Sequence, residues 1–271
     1  MILPDSVRLS VASVASAALC ALALPDAGLW PLILVAWTPL LFVLPDTTPR
    51  RAFLAGWASG TLAHLAIFPW IVHTATTMSD FSTPAAIGVL VVFAVVHGVA
   101  WGVTASGVRW LARGGSVASV LLAAGVVTAI EHLAPHLFPW HLGSAFWRVP
   151  TWLQGVELTG VAGATFVAVA FAAGAAGVLR DLANGRRVRW GGPVVAAAVL
   201  AGWCGYGVVR LAQVREAMDR APTVRLALVQ PDITALEKRV RNHDFKVSLV
   251  DRLLDRKSTR LNSSHVSPPR L

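Results

Sequence analysis

Charge is what this sequence has least of. Aspartate, glutamate, lysine and arginine make up 14% of its 271 residues, where an ordinary soluble domain carries roughly 25%. Apolar side chains make up 55% and the mean hydropathy is +0.63. Surface-to-volume scaling does not let a soluble protein of this length hide so much apolar side chain, so the composition excludes a soluble α/β protein and requires a membrane protein. Cysteine is nearly missing. Cys20 and Cys204 both lie inside apolar runs, which excludes a disulfide framework and leaves the redox compartment unread. Cys20 is not an acylation site either, because Leu19 stands where such a site needs a small residue. No small-x-small cleavage pattern precedes Pro25 and a second apolar stretch follows at once, so the first run is kept as a helix rather than a removable leader. Acidic residues are few, 14 against 23 basic ones. The resulting charge of +9 does not point to nucleic acid, because the arginines sit in short clusters between apolar stretches and not in one patch.

What is there is length without charge. A membrane-spanning helix needs about 20 apolar residues, within a range of about 17 to 25. Seven stretches qualify: about 7–24, 28–45, 51–75, 84–112, 116–134, 157–180 and 190–211. The first two are short and are joined by "LPDAG", which suits a tight hairpin as well as two full spans. Proline and glycine inside several stretches are tolerated where neighbouring helices satisfy the freed backbone groups. Small residues in "GVTASG" (102–107) and "GVAG" (160–163) read as close helix contacts.

The arginines alternate with the helices. Arg8, Arg50, Arg51, Arg109, Arg113, Arg180, Arg186, Arg187 and Arg189 fall in one set of connections, and the other set holds only Arg148 in the long 135–156 loop. Cytoplasmic loops carry the excess of positive charge, so the expectation is a cytoplasmic N-terminus and, seven crossings later, an exit on the outer side near residue 212.

The outer loop is the candidate site. "HLAPHLFPWHLGSAFWRVPTWLQG" (132–155) carries Trp140, Trp147 and Trp152, which suits either an aromatic belt at the interface or a shaped loop that presents lipid or substrate. Phe138, Pro139, Trp140, His141 and Trp147 are its candidate contact residues. His132 and His136 stand four apart beside Glu131, with His141 near; that spacing suits zinc on an unbroken helix, but Pro135 interrupts the turn, so no metal is assigned. Ionisable groups within membrane helices are functional candidates, yet His64 and His97 read best as neutral imidazoles hydrogen-bonded between helices.

Past residue 213 the composition changes. The run 212–223 is a polar linker. "VRLALVQPD" (224–232) reads as a buried strand and 235–256 as an amphipathic helix, the start of an α/β or α+β domain. One strand and one helix cannot bury a core, so that domain is expected to be truncated. The final "KSTRLNSSHVSPPRL" (257–271) is serine- and arginine-rich and aperiodic; it reads as a non-native, adapter-like tail, the alternative being a natural disordered one.

Three segments carry a family resemblance. "PLILVAWTPLLFVL" with "TPRRAFLAGWASGTLAHLAIFPWI" gives a Pro-bounded span, a basic turn and a Gly- and aromatic-rich helix. The second gives Glu131, Phe138-Pro139-Trp140, Gly143, Gln154, Gly160 and Gly163 in order, and the third is "VRLALVQPDI". Together they resemble the apolipoprotein N-acyltransferases of the bacterial envelope, over residues 1 to about 256. The resemblance implies a mostly α polytopic bundle of about seven helices in the cytoplasmic (inner) membrane, followed by the start of a periplasmic αββα nitrilase-like domain. It implies acyl transfer from a phospholipid donor to the α-amino group of a lipoprotein's N-terminal diacylglyceryl-cysteine, with no cofactor. It also implies a Glu-Lys-Cys triad, which is expected beyond the end of this chain. Glu237 precedes the expected place and Cys204 lies in a membrane helix, so no catalytic residue is assigned and the 271-residue chain is expected to be inactive. Where the family often has Trp soon after the first strand, this chain reads "EKRV" with Arg239, which weakens any assignment of substrate contacts there. Two other classes stay open: a non-catalytic polytopic protein, such as a small transporter or scaffold, and another membrane-fused nitrilase-fold amidase.

Overall fold

The computed structural model describes residues 4–24, 28–79, 81–112 and 115–223. The expected strand 224–232, the amphipathic helix 235–256 and the tail 257–271 lie outside the described residues. Among those described there is helix and no strand.

The first apolar stretch is α1 (Asp5–Ala23). The second is not one helix. A 3-10 turn, Trp30–Leu32, leads into α2 (Ile33–Ala36) and α3 (Thr38–Val43), and a second 3-10 turn, Leu44–Asp46, ends the run. Proline occupies the first turn of three of these four pieces. A proline there has no N–H to extend the preceding helix, so each one restarts the chain. The hairpin expected from "LPDAG" forms: the Leu29 N–H donates to the Leu22 carbonyl at 3.2 Å, and the Leu40 N–H donates to Ser16 Oγ at 3.3 Å.

The stretch expected as a single helix over 51–75 is broken. α4 (Pro49–Ile67) and α5 (Trp70–Met78) meet at a 57° bend across Phe68 and Pro69. Pro69 cannot bond to a carbonyl one turn back, so α4 stops there. The remaining stretches form α6 (Thr83–Leu111), α7 (Val117–Leu133), α9 (Val156–Ala183) and α10 (Gly191–Arg220), with a short α8 (Pro150–Leu153) in the outer loop. α10 continues through most of the polar run 212–223, as far as Arg220.

α1, α6, α9 and α10 are each long and apolar enough to cross a membrane, and the bent α4–α5 pair makes a fifth if it counts as one span. α7, with 17 residues, stands at the lower limit. The 30–46 run is apolar but interrupted. Among the described residues there are therefore seven apolar passages, and four are helices of spanning length.

Small residues let the passages pack closely. A Cβ on Gly60 would stand 2.7 Å from Trp101 Cβ, and one on Gly98 would stand 2.9 Å from the Thr61 backbone nitrogen, so α4 and α6 lie nearly backbone to backbone. Gly102, in the small-residue run noted in α6, meets Phe53 of α4 in the same way, 2.9 Å from its ring to an added Cβ. The "GVAG" expectation needs correction at its first glycine. Gly160 has φ 68° and ψ −174° and breaks α9; nothing stands within 4 Å of its Cβ position. It serves a kink that a residue with a side chain rarely adopts, and only Gly163 packs, with an added Cβ 3.0 Å from the Trp203 ring.

Polar contacts gather the arginine-bearing helix ends. Arg109 Nε donates to the Thr47 carbonyl at 2.5 Å, and Arg180 pairs with Asp46 at 2.5 Å. Asp181 accepts from Arg189 at 2.8 and 3.1 Å, and Asp5, Arg8, Asp46 and Arg51 line one recess. The 132–155 loop lies at the opposite ends of these helices, between the end of α7 and the start of α9.

Candidate functional site

α7 ends at Leu133, where the Ala134 N–H closes the last turn on the Ile130 carbonyl at 2.8 Å and Pro135 prevents another. His132 and His136 therefore do not share a helix face. No group of three or more His, Cys, Asp or Glu side chains among the described residues stands in metal-holding geometry.

Glu131, in that last turn, organises the loop beyond it. Its side chain is 10% exposed. One carboxylate oxygen accepts from the Leu142 N–H at 2.7 Å and the other from the Thr165 hydroxyl at 2.7 Å. Thr165 Oγ1 in turn accepts from the Gly143 N–H at 3.0 Å. The carboxylate thus ties the end of α7, the 3-10 turn Leu142–Phe146 and the middle of α9 into one unit. Gly143 is required there, because a Cβ would stand 2.6 Å from the Val161 carbonyl oxygen, just past the Gly160 kink. His141 Nδ1 lies 3.6 Å from Glu131 as well. With both oxygens engaged, Glu131 positions the loop.

The candidate loop residues part company. Phe138 packs on Trp70 at 4.9 Å, Phe93 at 5.8 Å and Phe68 at 6.4 Å between ring centroids. Trp140 stands edge-on to His64 at 5.6 Å and to Phe68 at 5.8 Å. Pro139 between them is exposed, inside a tight turn closed by the Trp140 N–H on the Phe138 carbonyl at 2.8 Å. Trp147 is 48% exposed and carries Arg148 over its ring at 4.4 Å. It belongs to the loop's outer surface and not to the cluster around Phe138. The far limb of the loop is anchored by Phe146 stacked on Trp152 at 3.8 Å and by Trp203 Nε1 donating to the Trp152 carbonyl at 3.1 Å.

Beneath the loop lies a cavity of about 650 Å³. Its walls are Val96, Val99 and Val103 of α6, Val127 and Ile130 of α7, and Trp140 above. His64, His97 and His136 also face it. His64 and His97 stack at 5.7 Å, and His97 lies 6.5 Å from His136. His64 Nδ1 is 2.7 Å from the Gly60 carbonyl; a carbonyl only accepts, so Nδ1 carries the proton, and the bond lies within α4 and not between helices as expected. The indole N–H groups of Trp37, 2% exposed, and of Trp140 have no partner. A mostly apolar recess, open along the α6 valines, suits an apolar chain. No sequence signal marks Thr165 or Trp37, which reach the site from 34 residues beyond Glu131 and from the broken second passage. Neither cysteine is near a nucleophile's setting: Cys20 is buried in α1 and Cys204 lies half-buried in α10.

Residues 16–174, which include this loop and cavity, match the family model described as "Apolipoprotein N-acyltransferase N-terminal domain". Among curated proteins, the chain is 28% identical over 255 residues to an apolipoprotein N-acyltransferase of Rhizobium leguminosarum bv. trifolii, covering 87% of this chain and 46% of that protein. It is 29% identical over 247 residues to that of Allorhizobium ampelinum, covering 85% and 45%. Over 162 residues it is 30% identical to that of Geobacter metallireducens, covering 57% and 30%. The chain thus spans a little under half the length of the first two relatives.

Proposed function

The chain belongs to the apolipoprotein N-acyltransferase family, and on that premise we propose that it supplies the membrane half of an enzyme moving an acyl chain from a phospholipid to the α-amino group of a lipoprotein's N-terminal diacylglyceryl-cysteine. The observation that carries this reading is the Glu131–Thr165 clamp, which holds the loop with Trp140 at the roof of a mostly apolar cavity within the family-matched residues.

In this reading the chemistry belongs to a nitrilase-like domain that begins near residue 224, with a Glu-Lys-Cys triad encoded past Arg256. The Cys thiol loses its proton to Glu and attacks the donor ester, as covalent catalysis requires. Lys stabilises the oxyanion. The lysophospholipid leaves with a proton, and the acceptor amine then displaces the thiol from the thioester. The bundle sits in the bacterial cytoplasmic membrane with its arginine-rich end inside and the 132–155 loop outside, as the positive-inside bias favours.

The test is to read the locus past the codon for Arg256, express the resulting frame in membranes, and follow a diacylglyceryl peptide by mass spectrometry. Trp-Pro-Glu, Lys and Cys in order, with the peptide gaining one acyl chain, is the expected result. A frame without those residues, or one that has them and leaves the peptide unchanged, would sink the reading. The 271-residue polypeptide alone is expected to leave the peptide unmodified in the same assay.

A further inference from the structure

A second space, also of about 650 Å³, lies on the outside of the bundle at the arginine-rich end, between α1, α3 and α9. Val11, Ala15 and Leu19 of α1, Phe42 of α3 and Leu179 of α9 form its walls, and Arg8 is the one charged residue among the described residues that lines it. It exists because the second passage is broken: short α2 and α3 leave the flanks of α1 and α9 apart, and Ala12, Ala15 and Ala175 are too small to fill the gap. From Arg8 to Leu19 the groove follows eleven residues of α1, about 17 Å of helix. One leaflet of hydrocarbon is about 15 Å deep, half of the core. The groove therefore runs one leaflet inward from the arginine-rich end.

Within a membrane, lipid chains fill such a groove; the arginine at its mouth makes it selective. Among the described residues Arg8 has one loose charged partner, Asp5 at 3.9 Å with 72% of that side chain exposed, which leaves guanidinium N–H groups for a phosphate. At the arginine-rich ends of the helices, Arg8, Arg50, Arg51, Arg109, Arg180, Arg186, Arg187 and Arg189 outnumber Asp5, Asp46 and Asp181. That surplus disfavours an ammonium-bearing headgroup and favours a lipid of net negative charge.

We propose that this groove binds an anionic glycerophospholipid of the leaflet at the arginine-rich end, one acyl chain lying along α1 and the phosphate on Arg8. This lipid is a structural ligand at the opposite end from the Phe138–Trp140 cavity. It does not depend on the acyl-transfer reading, and its test measures no transfer.

The chain, reconstituted in nanodiscs of palmitoyl-oleoyl phosphatidylglycerol or of the matching phosphatidylethanolamine, is released into the gas phase and weighed with its retained lipid. One phosphatidylglycerol should stay bound where phosphatidylethanolamine does not. Arg8→Gln should lower the retained fraction about five-fold, the factor of one arginine at an anionic surface. Ala15→Phe, which fills the groove and leaves Arg8 intact, should remove the lipid too. Equal retention of the two lipids, or retention unchanged in both variants, overturns the proposal. So does inorganic phosphate raising thermal stability as much as the lipid does.

Discussion

Glu131 is the residue on which the outer loop turns. A carboxylate that is 10% exposed and accepts two hydrogen bonds at 2.7 Å leaves the Leu142 N–H and the Thr165 hydroxyl without partners if it is removed. Hydrogen bonds to charged groups contribute about 1.5–3 kcal/mol. Glu131→Ala is therefore expected to destabilise the protein by about 2–3 kcal/mol, read as the shift of the unfolding midpoint in mild detergent. Thr165→Val should cost about 1.5–3 kcal/mol, because the Glu131 carboxylate loses a donor and the Gly143 N–H loses its acceptor. The double variant should fall short of the sum, since both act in one network; strict additivity would show that the clamp is not a unit. The importance of Glu131 was legible in the sequence as part of a motif, but its role was not. Thr165 looks like any other small residue in an apolar helix, and only its position opposite Glu131 gives it work.

At the scale of the element, the α4–α6 contact decides how tightly the bundle closes. A Cβ on Gly60 would stand 2.7 Å from both Cβ and Cγ of Trp101, and that end of a tryptophan side chain cannot swing aside. Gly60→Ala is expected to destabilise by about 1–3 kcal/mol through overpacking, although alanine is the better helix former by about 1 kcal/mol. Gly88→Ala in α6, where nothing stands within 4 Å, should be neutral or slightly stabilising. Thermal unfolding of the pair in detergent checks this; equal effects would mean that propensity and not packing governs. The breaks in the elements were visible as residues but not as consequences. Pro31, Pro39 and Pro45 stand plainly in the second stretch, and Pro69 in the third. In membranes such prolines are often accommodated in one continuous helix. Here the bend at Pro69 carries α5 out to meet the loop, where Trp70 packs on Phe138.

At the scale of the whole molecule, the alternation of arginine-rich and arginine-poor connections is the testable feature. In a background without Cys20 and Cys204, a cysteine at Leu137 should react with a membrane-impermeant maleimide added to intact cells with a permeable outer membrane, and one at Arg186 should react only after lysis. The reverse pattern would overturn the orientation. The sequence by itself determined that this is a membrane bundle, roughly where its apolar passages fall and which of their ends carry the arginines. Those properties follow from transfer free energies and local charge, which sum along short stretches of chain whatever the fold. Only the tertiary structure decided that the second and third passages break, that Gly160 kinks α9, that Thr165 meets Glu131, and that Glu131, Trp37 and three histidines converge on one cavity. Such convergence depends on how each helix is rotated and bent against its neighbours, and packing of the whole bundle sets those angles.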